Sequence, residues 1–168
     1  ELYCRTNQIP ELNVQGLTKL QKLNCIGNRL TALDVSGLAK LQKLNCGGNQ
    51  LTSLNASGLT KLKEINCNEN QLTKLNVQGC TALKTLYCHS NKLDAEAMTA
   101  LLNALPQREA NEDNPAIALL YTGETGKTEK NCKDYTQPDG LKTAFEGAKS
   151  RKWKLRKVNA GGWDYVDI

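Results

Sequence analysis

The chain has 168 residues, with 22 Lys+Arg against 17 Asp+Glu, one His, seven Cys and 5% aromatic side chains. That length suits one domain or one repeat array with an end cap, and 39% apolar residues suffice for a core, which excludes wholesale disorder. No run of about 18 apolar residues occurs, so no helix crosses a membrane; the net charge of +5 permits an acidic partner without arguing for nucleic acid, and a single His removes most His-based catalysis and His-rich metal sites.

The first elements belong to a repeat. Aligned at Leu20, Leu41, Leu62 and Leu83, the chain reads LQKLNCIGNRLTALDVSGLAK, LQKLNCGGNQLTSLNASGLTK, LKEINCNENQLTKLNVQGCTA and LKTLYCHSNKLD, with a period of 21 residues. ELYCRTNQIPELNVQGLTK is the same unit with its first positions missing. The chain therefore opens inside a repeat and without Met, and an upstream segment carrying an export signal is expected. Each unit follows LxxLxCxxNxLTxLxVxGLxx, the leucine-rich repeat pattern with Cys at one of the Leu positions. One coil cannot bury its own apolar face, so coils stack. Leu23 and Cys25 alternate with Lys22, Asn24 and Ile26, which predicts a short strand with Leu and Cys turned inward. Five such strands about 4.8 Å apart make a parallel sheet roughly 20–25 Å long.

Asn7, Asn28, Asn49, Asn70 and Asn91 recur where each coil leaves its strand. An amide side chain supplies both donor and acceptor to a buried turn, so these residues predict a structural asparagine ladder. Gly16, Gly37, Gly58 and Gly79 recur at the back of the coils, where a tight turn favours positive φ. The back segments are too short for long helices, and short 3₁₀ or irregular turns are expected there. Cys4, Cys25, Cys46, Cys67 and Cys88 share the period. No CxxC pair occurs to suggest zinc. Residues stacked in parallel strands point the same way, which suits a disulfide poorly, so each thiol reads as a small buried apolar group. Cys80 replaces the Leu of Leu17, Leu38 and Leu59 and is also core. Cys132 lies outside the repeats in a polar loop, with no evident partner.

These cysteine-ladder units resemble the internalin family of bacterial surface proteins, in particular its internalin J-like branch and the internalin-like surface proteins of Bacteroidetes. The resemblance covers roughly residues 1–93. It implies a curved scaffold, extracellular or on the bacterial cell surface, used for adhesion or protein binding rather than catalysis.

The repeat breaks after Leu93. Asp94 is a helix N-cap candidate, and AEAMTALLNAL places Met98, Leu101, Leu102 and Leu105 at helical spacing before Pro106. AIALLYT (116–122) reads as a buried strand, and LKTAFEGAKSRK sets Leu141, Ala144, Phe145 and Ala148 on one helix face. WKLRKV reads as a strand, NAGG as a turn and WDYVDI as a final strand. A helix crossover joins parallel strands, so residues 94–168 are expected to extend the repeat sheet and cover its last edge. Trp153 is expected in the core, whereas Trp163 suits either a core or a ligand platform. The predicted whole is an α/β leucine-rich repeat solenoid: parallel sheet on the concave face, 3₁₀ or irregular turns on the convex face, about five coils over residues 1–93, and a C-terminal α/β cap.

The stretch Gly123-Glu124-Thr125-Gly126-Lys127-Thr128 ends in GKT, but a phosphate loop needs its first Gly where Tyr121 stands, and a polar, Pro-containing segment follows instead of a helix. Nucleotide binding is not expected. His89 faces away from Cys88, Glu1 and Glu64 are separated by several coils, and no acid–base pair suggests itself. No enzyme, metal or cofactor is expected. The outward strand positions carry the row Tyr3, Asn24, Asn45, Asn66, Tyr87, with Asn68 and His89 beside it. Amides flanked by aromatics suit a protein or a glycan partner on a host or bacterial surface. A solvated face with no ligand, in a spacer segment of a larger envelope protein, fits the same composition. Residues 1–93 hold 11 Lys/Arg against 5 Asp/Glu and residues 94–168 hold 11 against 12. That excess fits an acidic partner on the repeats, such as a sialylated or sulfated glycan. A monomer is expected, with no nucleic-acid partner.

Overall fold

A computed structural model describes residues 1–111, 113–123, 129–159 and 165–168. Trp163, residues 124–128 of the Gly-Lys-Thr stretch and residues 160–162 of the turn signal lie outside the described residues. The repeat segment holds seven short strands: β1 (Leu2–Tyr3), β2 (Lys22–Asn24), β3 (Lys43–Asn45), β4 (Ser53–Asn55), β5 (Glu64–Asn66), β6 (Lys74–Asn76) and β7 (Thr85–Tyr87). Beyond it come α1 (Ala95–Ala104), β8 (Ala116–Thr122), α2 (Asp139–Ser150), β9 (Trp153–Val158) and β10 (Tyr165–Asp167). Among the described residues, eight strands form one sheet in the order β1-β2-β3-β5-β7-β8-β9-β10, all neighbours parallel except the antiparallel β9–β10 pair.

The 21-residue period fixes the register. Lys22, Leu23 and Asn24 pair with Lys43, Leu44 and Asn45, which pair in turn with Glu64, Ile65 and Asn66. Leu23, Leu44, Ile65 and Leu86 point inward and are buried. So are Cys25, Cys46, Cys67 and Cys88, one residue beyond each strand. Strands stay short because the chain turns two residues past each cysteine with positive φ, at Thr6, Gly27, Gly48, Glu69 and Ser90. Only two of these five are glycine; the others accept the left-handed region at a steric cost.

The asparagines hold the turns. Asn49 donates from Nδ2 to the carbonyls of Cys25 (3.0 Å), Cys46 (3.0 Å) and Gly47 (3.2 Å), and its Oδ1 accepts from the Leu30 amide at 3.0 Å. Asn28, Asn70 and Asn91 repeat this set. Each amide thus ties its own coil to the preceding one. Asn7, in the first coil described, is exposed and donates within its own coil, to Cys4 and Arg5.

The back of the coils differs from the expected 3₁₀ or irregular turns in two places. β4 and β6 pair in parallel, Leu54 opposite Leu75, as a second, two-stranded sheet. The cause is local alternation: Leu54 and Ala56, then Leu75 and Val77, are buried, with Ser53, Asn55, Lys74 and Asn76 exposed between them. At Gly16, Gly37, Gly58 and Gly79 the backbone takes φ near +75 to +78°.

The segment after Leu93 joins the array by imitating it. Leu86 lies opposite Ala118 and Tyr87 opposite Leu119, and the Cys88 amide donates to the Leu119 carbonyl at 3.0 Å. Asn131 then takes the next rung: Nδ2 donates to the carbonyls of Cys88 (2.9 Å) and Leu120 (2.7 Å), and Oδ1 accepts from the Leu93 amide (2.8 Å). Glu129 completes the junction by accepting from the amides of Ser90, Thr122 and Asn131. Asp94 caps α1 by accepting from the Ala97 amide at 2.9 Å. Trp153 is buried, its indole donating to the Pro106 carbonyl at 2.8 Å.

Removing a rung leaves buried carbonyls without donors, at a cost of about 1–3 kcal/mol each. Asn131→Ala is expected to lower unfolding free energy by about 2–3 kcal/mol in urea titrations, and Asn7→Ala by less than about 0.5 kcal/mol. Equal losses at the two positions would refute a ladder that ties coil to coil.

Candidate binding face

The long sheet turns one side to the core and the other outward. The outward middle row runs Tyr3, Asn24, Asn45, Asn66, Tyr87 in pairing register. Tyr3 is 57% exposed, and the other four are half-buried. Asn24 and Asn66 each brace their own turn, accepting from the amides of Ile26 (3.3 Å) and Asn68 (3.2 Å). The side-chain oxygens of Asn45 and Asn68 are buried without a hydrogen-bond partner. Gly47, in the outward row beside Asn68, is itself buried, and a Cβ there would meet the Asn68 side-chain oxygen at 2.3 Å. Asn68 therefore occupies space that the missing side chain leaves open. His89 is half-buried, its Nδ1 3.3 Å from the Ser90 hydroxyl. A shallow depression of about 250 Å³ lies over the first coils, between Tyr3, Asn24, Asn45, Lys22, Lys43 and Glu64.

The row does not stop at Tyr87. Leu119 and Arg156 continue it in register, with Asp167 beyond. Leu119 is 2% exposed yet stands apart from the core. Tyr165, reaching this region from the final hairpin, stacks on Tyr87 with centroids 6.4 Å apart and planes at 29°. Burial, then the neighbouring Tyr165 and Glu64, pushes the Tyr87 phenol up. Sequence reasoning did not find Tyr165, because it has no place in the 21-residue period and only the antiparallel register of β10 brings it to the face.

Charge on the face is largely self-compensated. Lys22 Nζ lies 2.7 Å from Glu1, Lys43 Nζ 2.9 Å from Glu64, and Arg156 Nε 2.6 Å from Asp167. The Lys22 ammonium, helped by the Tyr3 hydroxyl that donates at 2.7 Å, holds the Glu1 carboxyl below its usual range. Among the described residues, no three His, Cys, Asp or Glu side chains gather as a metal would require.

All seven cysteines are free thiols. Cys67 and Cys88 each donate weakly at 3.5 Å, to the carbonyls of Tyr87 and Leu119, and Cys80 donates to Ala56 at 3.1 Å. Burial pushes the Cys25 thiol up to about 12 and also raises Cys46, Cys67 and Cys88. Nucleophilic chemistry needs the thiolate, so the ladder is packing. Cys4 and Cys132 are half-buried.

Residues 39–79 match the family model for leucine-rich repeats (2 copies). The match supports a leucine-rich repeat protein, and the stacked coils with their mostly parallel sheet are consistent with an α/β repeat solenoid. No curated protein matches the chain.

The raised thiol values carry a pH signature. Below about pH 9 the thiols are protonated whether folded or unfolded, and their contribution is fully present. As pH rises from 9 towards 12 the Cys25 thiol ionises in the unfolded chain and not in the folded one, so stability falls by on the order of 1 kcal/mol per pH unit from this group, and Cys46, Cys67 and Cys88, also raised by burial, add in the same direction. Denaturant titrations between about pH 8 and 11 are expected to show this decline, shallower by one thiol's share in Cys46→Ala. An unchanged slope in that variant would contradict the assignment.

Proposed function

We propose that the chain is a non-enzymatic binding module of a bacterial cell-surface or secreted protein, and that it engages a protein partner through the outward side of the long sheet. The observation that carries this reading is the outward row itself: Tyr3 exposed at one end, half-buried amides between, two of which also brace their turns, and Tyr87 stacked on Tyr165 at the other. Tyrosines present large, rigid, amphipathic contact area and are enriched where binding energy concentrates. The matched leucine-rich repeats commonly serve protein–protein interaction, and the cysteine-ladder resemblance favours the surface of a bacterium. The buried ladder also suits export, since thiols held protonated inside the core resist oxidation.

Two alternatives rest on particular features. The amide stripe with terminal aromatics also fits a glycan. The compensated charges, Lys22 with Glu1 and Lys43 with Glu64, fit a solvated face in a spacer segment. Affinity capture from host and bacterial surface extracts separates the three, comparing the chain with a Tyr3→Ala/Tyr87→Ala/Tyr165→Ala variant whose thermal midpoint is checked first. Proteins retained by the parent and depleted at least about tenfold by the variant are expected. A glycan array positive only for the parent would favour the glycan reading. Identical recovery by both would leave the face without a ligand and favour the spacer.

A further inference from the structure

The excess positive charge of the repeats does not sit on the sheet face, where Lys22 and Lys43 are paired. It gathers on the turns that lead into the long-sheet strands. There the coils read QGLTKLQ, SGLAKLQ, SGLTKLK and QGCTALK, and none contains a carboxylate. Lys19, Lys40 and Lys61 hold one position of successive coils and are exposed; Lys63 and Lys84 hold the position two residues further on. Among the described residues, none of these five side chains makes an ion pair or a hydrogen bond. Arg108, from beyond α1, continues the row: its guanidinium donates to the carbonyl of Thr81. The turns are locked side by side, the Lys63 amide donating to Gln42 at 2.8 Å and the Lys84 amide to Lys63 at 3.0 Å. Cationic positions therefore recur at about the strand spacing, ~4.8 Å, along one edge of the solenoid. The acids of the repeats are not part of this row: Glu1, which borders the same hollow as Lys19, and Glu64, next to Lys63 in the chain, are taken up in the face pairs, Glu11 and Asp34 lie on the back segments, and Glu69 on a strand-exit turn.

We propose that this strand-entry edge is a second ligand surface, which binds a linear sulfated polysaccharide laid across the coils. An extended chain with closely spaced sulfates meets a cation at each coil it crosses, and sulfate stays ionised over the whole physiological pH range. Lysine ammoniums on flexible stems suit such a chain, whose groups need charge rather than fixed geometry. Other polyanions fit less well. The four edge segments contain no aromatic side chain on which unstacked bases could lie. A membrane surface would call for a broad apolar face beside the lysines, and the edge offers only Leu17, 43% exposed. The attraction is electrostatic, so it weakens with salt.

The test measures binding of the full chain to heparin at about 0.05 M and 0.3 M salt. Lys19→Gln/Lys40→Gln/Lys61→Gln is expected to weaken low-salt binding at least about tenfold. Lys130→Gln/Lys133→Gln/Lys142→Gln makes the same change in net charge with exposed lysines outside the edge, and is expected to alter binding less than about twofold. The Tyr3→Ala/Tyr87→Ala/Tyr165→Ala variant is expected to bind heparin like the parent, which keeps this outcome separate from that of the sheet face. Desulfated heparin is expected not to bind. Equal losses in the two lysine variants would reduce the effect to net charge and overturn the proposal. So would the absence of low-salt binding, or equal affinity for a single-stranded oligonucleotide or an anionic lipid vesicle.

Discussion

The structure depends on one interaction repeated along its length: an asparagine amide, sealed inside a turn, that bonds its own coil and the preceding coil together. Leucine and cysteine supply the apolar area, but apolar burial is non-directional and would tolerate coils that slip or tilt. The amide does not. Asn49 must find two carbonyls three and twenty-four residues back and an amide nineteen residues back, which holds only if coils are in register and of one length. Without it the turn would bury unpaired backbone groups, a cost of the order of that of a lost hydrogen bond for each. The 21-residue period is therefore a consequence of hydrogen-bond geometry as much as of hydrophobic spacing.

The same constraint explains how the array ends. A solenoid that stops abruptly exposes both an open strand edge and a half-used set of polar groups. Beyond β7 the chain has no further repeat, yet β8 adds in parallel, Ala118 and Leu120 take the inward places of leucine and cysteine, and Asn131 reaches the Cys88 carbonyl. The segment after Leu93 is thus a different sequence meeting the same bonding demand. It does so over a longer path: Asn131 bonds a carbonyl eleven residues earlier, where Asn91 needs only three.

That difference marks what sequence could and could not reveal. Coils, register, inward thiols and the ladder from Asn28 to Asn91 were legible because each is fixed by position within a period. Asn131 and Glu129 were not, since their partners are set by loop path and no period carries them. The paired strands at Ser53–Asn55 and Lys74–Asn76 do not follow from the length of the back segments; their signal is the alternation of Leu54 with Ala56 and of Leu75 with Val77. On the binding face, the row from Tyr3 to Tyr87 followed from strand alternation, whereas Tyr165 depended on a hairpin register that composition does not encode.

Because packing fixes the inward positions, variation is left to the outward rows, and each row repeats its choice at the coil spacing. Two rows of this chain treat charge in opposite ways. On the sheet face Glu1, Lys22, Lys43 and Glu64 are successive neighbours, and each lysine closes on a carboxylate. On the strand-entry edge Lys19, Lys40 and Lys61 are neighbours with no acid among them. Like charges a few ångströms apart in water repel by about 1 kcal/mol or less, and salt screens part of that, so folding tolerates the edge without rewarding it. Surface pairs are also worth little to stability. Stability therefore does not account for keeping one row compensated and the other bare. The contrast is an electrostatic one: a nearly neutral face with amides and tyrosines, suited to close contact where desolvated charge would be costly, beside an edge whose field is left open to solvent and acts at longer range.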